Sequence, residues 1–287
     1  MKAPFISIGV ATYDRKLLLR ETLASILSQS FQDFEILVGN NHVELPLSGE
    51  ALGIPDARIR YLNHPQNLGQ QRNMNSVLAA ATGKYFTWLN DDDLYQANFL
   101  EVVVKAIEAH SSLDCVFTGY ELFTEPRSFY SLDCVNPPVL SLGPADFLEQ
   151  YLTKAISVIG CYGMFRRDFL NELGGMPSLG AGPLLYADNL LALKVAVGGK
   201  FVLVDAPLVG FRSHGGSVSN QSQDLHSYHR LQAAFFSMGA ELFSSLAVAR
   251  YRDRFLYLLA RWFLDDGMAV AMRARQLRPH NLVDYSR

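Results

Sequence analysis

GKYFTWLNDDD, residues 83–93, decides the fold. Its middle, Tyr85–Leu89, is apolar and aromatic around one threonine, as a strand buried on both faces requires, and it gives way at once to Asn90-Asp91-Asp92-Asp93. Carboxylates delivered by a buried strand emerge at its carboxyl end, the edge of a sheet where ligands gather in open α/β folds. Acids there suit a hard divalent cation, Mg2+ or Mn2+, which takes oxygen ligands and completes its shell from phosphates. They suit equally an acidic turn capping the next helix, since Asp is favoured in both settings.

Outward from this strand the same alternation repeats. FISIGVA (5–11), FEILVG from Phe34, IRYLN from Ile59 and DCVFTG from Asp114 read as further strands. Leu18, Leu19, Thr22, Leu23, Ile26 and Leu27 recur at helical spacing behind Asp14, a candidate N-cap, and helices fit Gln71–Ala81 and Phe99–Ala109. Strand starts about every 25 to 30 residues mark β-α units, so the first 120 residues predict an α/β layer on a mostly parallel sheet. Pro126, Pro137, Pro138 and Pro144 then punctuate connecting loops with short strands. Helices fit Ala145–Leu152, Arg167–Leu173 and Tyr186–Val197, and a strand fits Phe201–Asp205. From about Gln223 to Leu277 the pattern is helical almost throughout, with a break expected near Gly239.

Polar clusters close several of these strands. Thr12-Tyr13-Asp14-Arg15 offers an aromatic face, a carboxylate and a guanidinium within one turn, or simply a β-α turn with a helix cap. The amides of Asn40-Asn41-His42 can pair with a base edge or close an Asx turn. In Asn67-Leu68-Gly69-Gln70-Gln71-Arg72-Asn73 a glycine turn opens a helix, and Arg72 can meet a phosphate bidentately or lie solvated. Each signal is weak alone; their recurrence at successive strand ends points to one ligand site.

Here the chain resembles the nucleotide-diphospho-sugar transferases of the GT-A fold, in particular glycosyltransferase family 2. The resemblance spans roughly the first 215 residues and rests on ISIGVATYDR, LRETLASILSQSFQDFEILV, NLGQQRNMN, GKYFTWLNDDD and the later Asp in YADNLLALKVA. It implies that Thr12, Tyr13, Asp14 and Arg15, with Asn40 and Asn41, face the donor nucleotide, and that Arg72 approaches the nucleotide or its phosphates. It makes Asp92 the metal ligand, matching the last carboxylate of the family's Asp-x-Asp motif, with Asn90 and Asp91 in support on the donor side; Asp93 is left to cap the helix that follows. Two departures stand out: the motif's first Asp is Asn90, and the usual Asp pair ending the second strand is Asn40-Asn41.

An inverting transferase needs a carboxylate to take the acceptor proton. By resemblance that base is Asp188, in Ala187-Asp188 where the family often has Glu-Asp; as a bare feature Asp188 reads as a helix N-cap, and the helix start favours its ionised form. His214, in Val209–Ser217, stands where family members often carry a histidine near metal and diphosphate. Arg212 suits phosphate or a rim position. The implied activity is an inverting, metal-dependent transfer from a nucleotide-diphospho-sugar, UDP-sugar favoured and dTDP- or GDP-sugar next, to a saccharide, lipid-linked or protein acceptor in bacterial surface polysaccharide or glycoconjugate synthesis. The alternative is a catalytically weakened nucleotide-sugar-binding protein or assembly subunit, suggested by Asn40, Asn41 and Asn90. A nucleotidyltransferase is disfavoured because the opening lacks a glycine-rich triphosphate loop. Acceptor choice is expected from loops such as Glu125–Pro144 and Ser178–Leu185.

Composition bounds these readings. The 287 residues are 49% hydrophobic with net charge −3, enough for a sizeable core and without the basic field that holds nucleic acid. Cys115, Cys134 and Cys161 are far apart, against a zinc site or disulfide framework and in keeping with a reducing cytoplasm. Met1-Lys2-Ala3-Pro4 runs straight into a strand, and no run of 18 apolar residues follows, so neither a secretory signal nor a transmembrane helix is expected. The expected organisation is a GT-A catalytic domain over 1–220 (nucleotide half 1–120, acceptor half 121–220) and a helical C-terminal extension over 221–287. In that extension Phe255, Leu256, Leu258, Leu259, Trp262 and Phe263 lie beside Arg250, Arg252, Arg254 and Arg261, with Arg273, Arg275 and Arg278 beyond. Such helices pack on the domain by default, or pair in a homodimer, or lie on the inner face of a membrane.

Overall fold

The computed structural model describes residues 3–130, 136–180, 184–214 and 225–276. Met1, Lys2, Cys134, Ser217, Gln223, Leu277 and Arg278, named from the sequence, lie outside the described residues, as do parts of the Glu125–Pro144 and Ser178–Leu185 loops.

Alternating apolar runs and 3.6-period segments fold as β1 (Ile6–Thr12), α1 (Lys16–Leu27), β2 (Phe34–Asn40), α2 (Gly49–Leu52), β3 (Ile59–Asn63), α3 (Gln70–Ala80), β4 (Tyr85–Trp88), β5 (Leu94–Tyr95), α4 (Phe99–Ala109) and β6 (Cys115–Phe123). The second half supplies α5 (Pro126–Tyr130), β7 (Val139–Leu140), α6 (Pro144–Leu152), a 3-10 turn at Gly160–Tyr162, β8 (Met164–Arg166), α7 (Arg167–Glu172), α8 (Ala187–Gly198) and β9 (Phe201–Arg212). Two long helices follow, α9 (Leu225–Leu242) and α10 (Arg252–Gln276). Among the described residues the strands form one sheet in the order β3-β2-β1-β4-β8-β6-β9-β5, with β7 beside β9. β1, β2, β3 and β4 pair in parallel, as do β6 and β9, whereas β8, β5 and β7 enter antiparallel. The parallel layer expected of the first 120 residues thus holds for β1–β4, whereas β5 and β6 lie beyond antiparallel β8 in the other half of a mixed sheet.

Every residue of β2 and β4 is buried, which is why their sequences run apolar without alternation. Each large side chain so enclosed contributes about 1.5–3 kcal/mol relative to exposure. Register does the positioning. Gly9 of β1 pairs with Trp88 of β4, and carrying that register onward brings Thr12 beside Asp91. Leu94 and Tyr95 then pair with Gly210 and Val209, so the acidic loop is pinned between β4 on one side and the end of β9 on the other.

Three local expectations are corrected. Asp14 makes no cap; α1 has Arg15 at its N-cap without a side-chain bond, and Asp14 takes a left-handed turn at φ 53°. Gly239 does not break the C-terminal helix but lies inside α9, where a Cβ would stand 3.0 Å from Leu259 Cδ2 and 3.2 Å from Leu193 Cδ1; the break falls after Leu242. The proline-rich stretch holds a short helix, α5, besides β7. Phe255, Leu258 and Leu259 are buried in the same core as β1, with Trp262 packed against it, so α10 uses this face for packing on the domain.

Candidate active site

The acidic loop is built from inside outward. Asp93 is wholly buried, and its carboxylate accepts from the Arg212 backbone N–H at 2.7 Å, the Asn90 amide at 2.9 Å and the Tyr162 hydroxyl. Thr22 of α1 donates to the Asp93 carbonyl at 2.9 Å. Asp93 therefore ties the loop to β9, to α1 and to the 3-10 turn, and it caps nothing: α4 begins at Phe99 behind Asn98. Burial, followed by the charge of Asp92, pushes the Asp93 carboxyl up to about 7 against those three donors.

Asn90 acquires a physical reason from this. Its Nδ2 donates to Asp93 and to the Tyr162 hydroxyl, 2.5 Å away, where an aspartate would set a second carboxylate against a buried one. No sequence pattern singles out Tyr162; the nearby glycines Gly160 and Gly163 signal only a tight turn.

Nearer the surface, Thr12 Oγ1 donates to Asp91 Oδ2 at 2.6 Å, and Arg15 Nη1 reaches Asp91 Oδ1 at 3.2 Å and Asp92 Oδ2 at 2.7 Å. His214 Nε2 meets the same Asp92 Oδ2 at 2.9 Å. Burial and then the Asp92 charge raise Asp91 to about 6, with Thr12 and Arg15 pulling it down. Thr12 and Arg15 are accordingly engaged with the acids rather than turned outward to a ribose. Arg212 is buried as well, its Nε on the Asp92 carbonyl at 2.7 Å and its Nη2 on Glu21 at 2.5 Å, so it stiffens the loop instead of forming a rim.

The other strand ends divide. Asn40 accepts from the His42 N–H in an Asx turn and donates to Leu45 and Asn63, while Asn41 bridges Leu68 and Gly69; both are buried and their amides hold the two loops instead of facing a base. Tyr13 is the exposed aromatic, 53% accessible, with its ring 5.1 Å from that of His42. Arg72 is exposed in the first turn of α3 behind Gly69, whose φ of 78° suits glycine.

Asp188 lies in the first turn of α8, half-buried, and accepts backbone N–H groups there; the N-cap position that the bare sequence gave to it belongs to Tyr186. Burial outweighs those bonds and raises its carboxyl to about 6, the opposite of the helix-start expectation. The link to the acidic loop is the 3-10 turn. Its first residue, Gly160, lies against the Asp188 backbone, its last, Tyr162, holds Asp93, and buried Cys161 between them has its thiol pKa driven up by burial and by both carboxylates.

No three His, Cys, Asp or Glu side chains form a ready-made metal cage among the described residues. Asp92 with His214 is a two-ligand set, and a cation that keeps waters and takes donor phosphates needs no more from the protein. The residues fit such a cation, which would compete with Arg15 for Asp92 Oδ2.

Comparison with known proteins meets this geometry. Residues 7–174 match the model of glycosyl transferase family 2. The chain is 34% identical over 112 residues to the GalNAc(5)-diNAcBac-PP-undecaprenol beta-1,3-glucosyltransferase of Campylobacter jejuni, 38% of this chain and 36% of that one. It spans 42% or less of the length of the curated relatives it matches first. In structure it resembles S. aureus TarS 1-349 in complex with UDP-GlcNAc, with TM-score 0.60 at 12% identity over 96% of this chain and 93% of that one. It also resembles the mannosyltransferase PcManGT of Pyrobaculum calidifontis in complex with GDP-Man and Mn2+, with TM-score 0.56 at 20% identity over 97% and 77% of the two chains. Those likenesses give the GT-A fold, and with a family match over more than half of its length this chain belongs to glycosyltransferase family 2.

Proposed function

We propose that the protein is an inverting glycosyltransferase that passes a sugar from a nucleotide-diphospho-sugar to an acceptor hydroxyl, with Asp188 as general base. The observation that carries this is the single turn, Gly160–Tyr162, joining the acidic loop through Tyr162 to the Asp188 helix start through Gly160. An electrophile-binding cluster and a lone carboxylate of raised pKa on one rigid support are what in-line displacement at an anomeric carbon requires.

In this reading the acceptor oxygen bonds to the anomeric carbon while Asp188 takes its proton, and the carbon–oxygen bond to the diphosphate breaks with the electron pair leaving on the nucleoside diphosphate. Tyr13 and His42 offer an aromatic edge for the base, and Arg72 a guanidinium for the nucleotide. Asp92 and His214 would hold Mn2+ or Mg2+, which supplies charge neutralisation to the departing diphosphate when bound. Arg15, which reaches Asp92 Oδ2 at 2.7 Å, would supply a guanidinium to the diphosphate. Thr12, Asp91 and Asn90 order the loop beneath, and Asn40 and Asn41 shape the loops that border the nucleotide. Asp14, in its left-handed turn, leaves β1 between Tyr13 and Arg15 and serves the ribose.

UDP-sugars are the favoured donors, as UDP-GlcNAc is bound by TarS, with GDP-sugars next, as GDP-Man is bound by PcManGT; surface-polysaccharide or glycoconjugate synthesis with a saccharide, lipid-linked or protein acceptor is the favoured setting. No helix among the described residues is long and apolar enough to cross a membrane. The free thiols of Cys115 and Cys161 support a reducing, cytoplasmic setting. A panel of UDP-, dTDP- and GDP-sugars with Mn2+, read by nucleoside diphosphate release, tests the reading. Turnover of one donor class is expected; binding without turnover across a broad acceptor panel would favour the non-catalytic alternative.

A further inference from the structure

The two C-terminal helices lie outside the family match, yet α9 contacts Tyr186, two residues before Asp188, and α10 contacts Tyr151, which holds Asn189 just after it. Tyr186, the N-cap of α8, is held at φ 65° and ψ 0°, a left-handed conformation that a tyrosine adopts only when its surroundings impose it. The contacts on its side chain come from α9. The Tyr186 hydroxyl bonds the Tyr228 hydroxyl, and the Tyr186 ring stacks on Phe235 with centroids 5.2 Å apart and planes 5° from parallel. Phe235 meets Trp262 of α10 edge to face at 6.0 Å, and Trp262 meets Tyr151 of α6 at 5.5 Å. The circuit returns to α8 there, because the Tyr151 hydroxyl accepts from Asn189 Nδ2 at 2.8 Å. Asp188 thus sits between two residues tied into one aromatic ring of contacts, while Gly160 bears on its carbonyl from the other side.

We infer that the α9–α10 pair is a positioning element of the active site, in which Tyr228 and Phe235 clamp Tyr186 and thereby fix where the Asp188 carboxylate points. The inference rests on the reading of Asp188 as the base. The helices therefore belong to the catalytic machinery rather than being an appendage, and Tyr228 and Phe235 are positioning residues that touch no substrate. A loosened clamp lets the first turn of α8 open, admits water around Asp188 and lowers its pKa. Among the described residues the titratable groups that face Asp188 are Tyr120 of β6, Tyr151 of α6 and Cys161 of the 3-10 turn, each with its own pKa raised by burial and by the Asp188 charge, so none of these supplies a competing charge near neutrality.

The test uses the full chain with 13C-labelled aspartate, the Asp188 carboxyl signal being identified by its loss in Asp188→Asn. Tyr228→Phe keeps the ring and removes the hydroxyl; Phe235→Leu keeps an apolar side chain and removes the stack. In both, the Asp188 titration midpoint is expected to fall from near 6 by half a pH unit or more, and the amides of residues 187–189 to exchange at least tenfold faster. Turnover of the donor panel should drop at least tenfold while calorimetric Kd for the nucleoside diphosphate stays within twofold. An unchanged Asp188 titration and amide exchange in both variants would overturn the clamp. Wild-type turnover by Asp188→Asn would instead remove the base role, leaving the titration to judge the clamp separately.

Discussion

A Cβ on Gly160 would stand 1.9 Å from the carbonyl oxygen of Asp188 and 3.1 Å from the Ala192 backbone nitrogen. Backbone meets backbone there, so no rotamer change can relieve a larger residue. The closeness fixes the distance between the turn that holds Asp93 and the helix that carries Asp188.

Gly160→Ala should therefore push α8 away from the 3-10 turn and cost about 1–3 kcal/mol of stability as overpacking. Chemical denaturation measures the loss. The variant's turnover should fall by more than its folded fraction explains, since both halves of the site move.

Asn90→Asp restores the family's usual acidic motif and is nevertheless expected to harm this protein. The new carboxylate would face Asp93, whose pKa burial already holds near 7, and would lose the amide that donates to it. We expect about 1–3 kcal/mol of destabilisation near pH 8, shrinking as the pair takes up a proton at lower pH. Thermal melts at pH 5.5 and 8 would show it; a more stable variant at pH 8 would contradict this role for Asn90.

Asp92→Asn and His214→Ala should each weaken Mn2+ binding roughly tenfold or more, measured as free Mn2+ by electron paramagnetic resonance with nucleoside diphosphate present. Tyr13→Ala, at the exposed aromatic edge, should weaken nucleotide binding and leave Mn2+ untouched. Equal effects of all three on Mn2+ would remove Asp92 and His214 as the ligand pair.

Asp188 should also carry a cost to stability. Its carboxyl is raised in the folded chain to about 6 from 3.8, so the folded state holds its proton more tightly than the unfolded state does between those values. The favourable contribution is complete below about pH 4 and is lost as pH rises through 6, which makes the ionised group destabilising at neutrality. Asp188→Asn should be more stable than the parent by on the order of 1–2 kcal/mol at pH 7.5 and nearly equal to it at pH 4, as followed by urea unfolding at both pH values.

Much of this was legible in the chain and some of it was not, for identifiable reasons. β2 and α4 could be read closely because a buried run and a strongly amphipathic helix carry their own periodicity. β5, β7 and β8 have two or three residues each and exist only through their partners, so no local pattern announces them. The acidic run pointed to the site, but the division of labour within it depends on depth: Asp93 goes inward to Tyr162 and Arg212, while Asp92 faces Arg15 and His214. Sequence spacing does not encode depth. For the same reason Asn40 and Asn41 read as donor-facing amides, although their hydrogen bonds are spent on loops distant in the chain. The contacts that hold Asp188 come from Gly160 and, through Tyr186 and Asn189, from α9 and α6, separations that only the folded chain closes.

The central claim is that Asp188 takes the acceptor proton. Its most direct test is the pH profile of kcat/KM for the parent and for Asp188→Asn on the donor class that the panel identifies. The parent should lose activity tenfold per pH unit below about 6, as its base becomes protonated, and Asp188→Asn should lose at least a thousandfold at pH 7.5 with nucleoside diphosphate Kd within twofold of the parent. Turnover by Asp188→Asn within tenfold of the parent, with the same pH profile, would contradict the account.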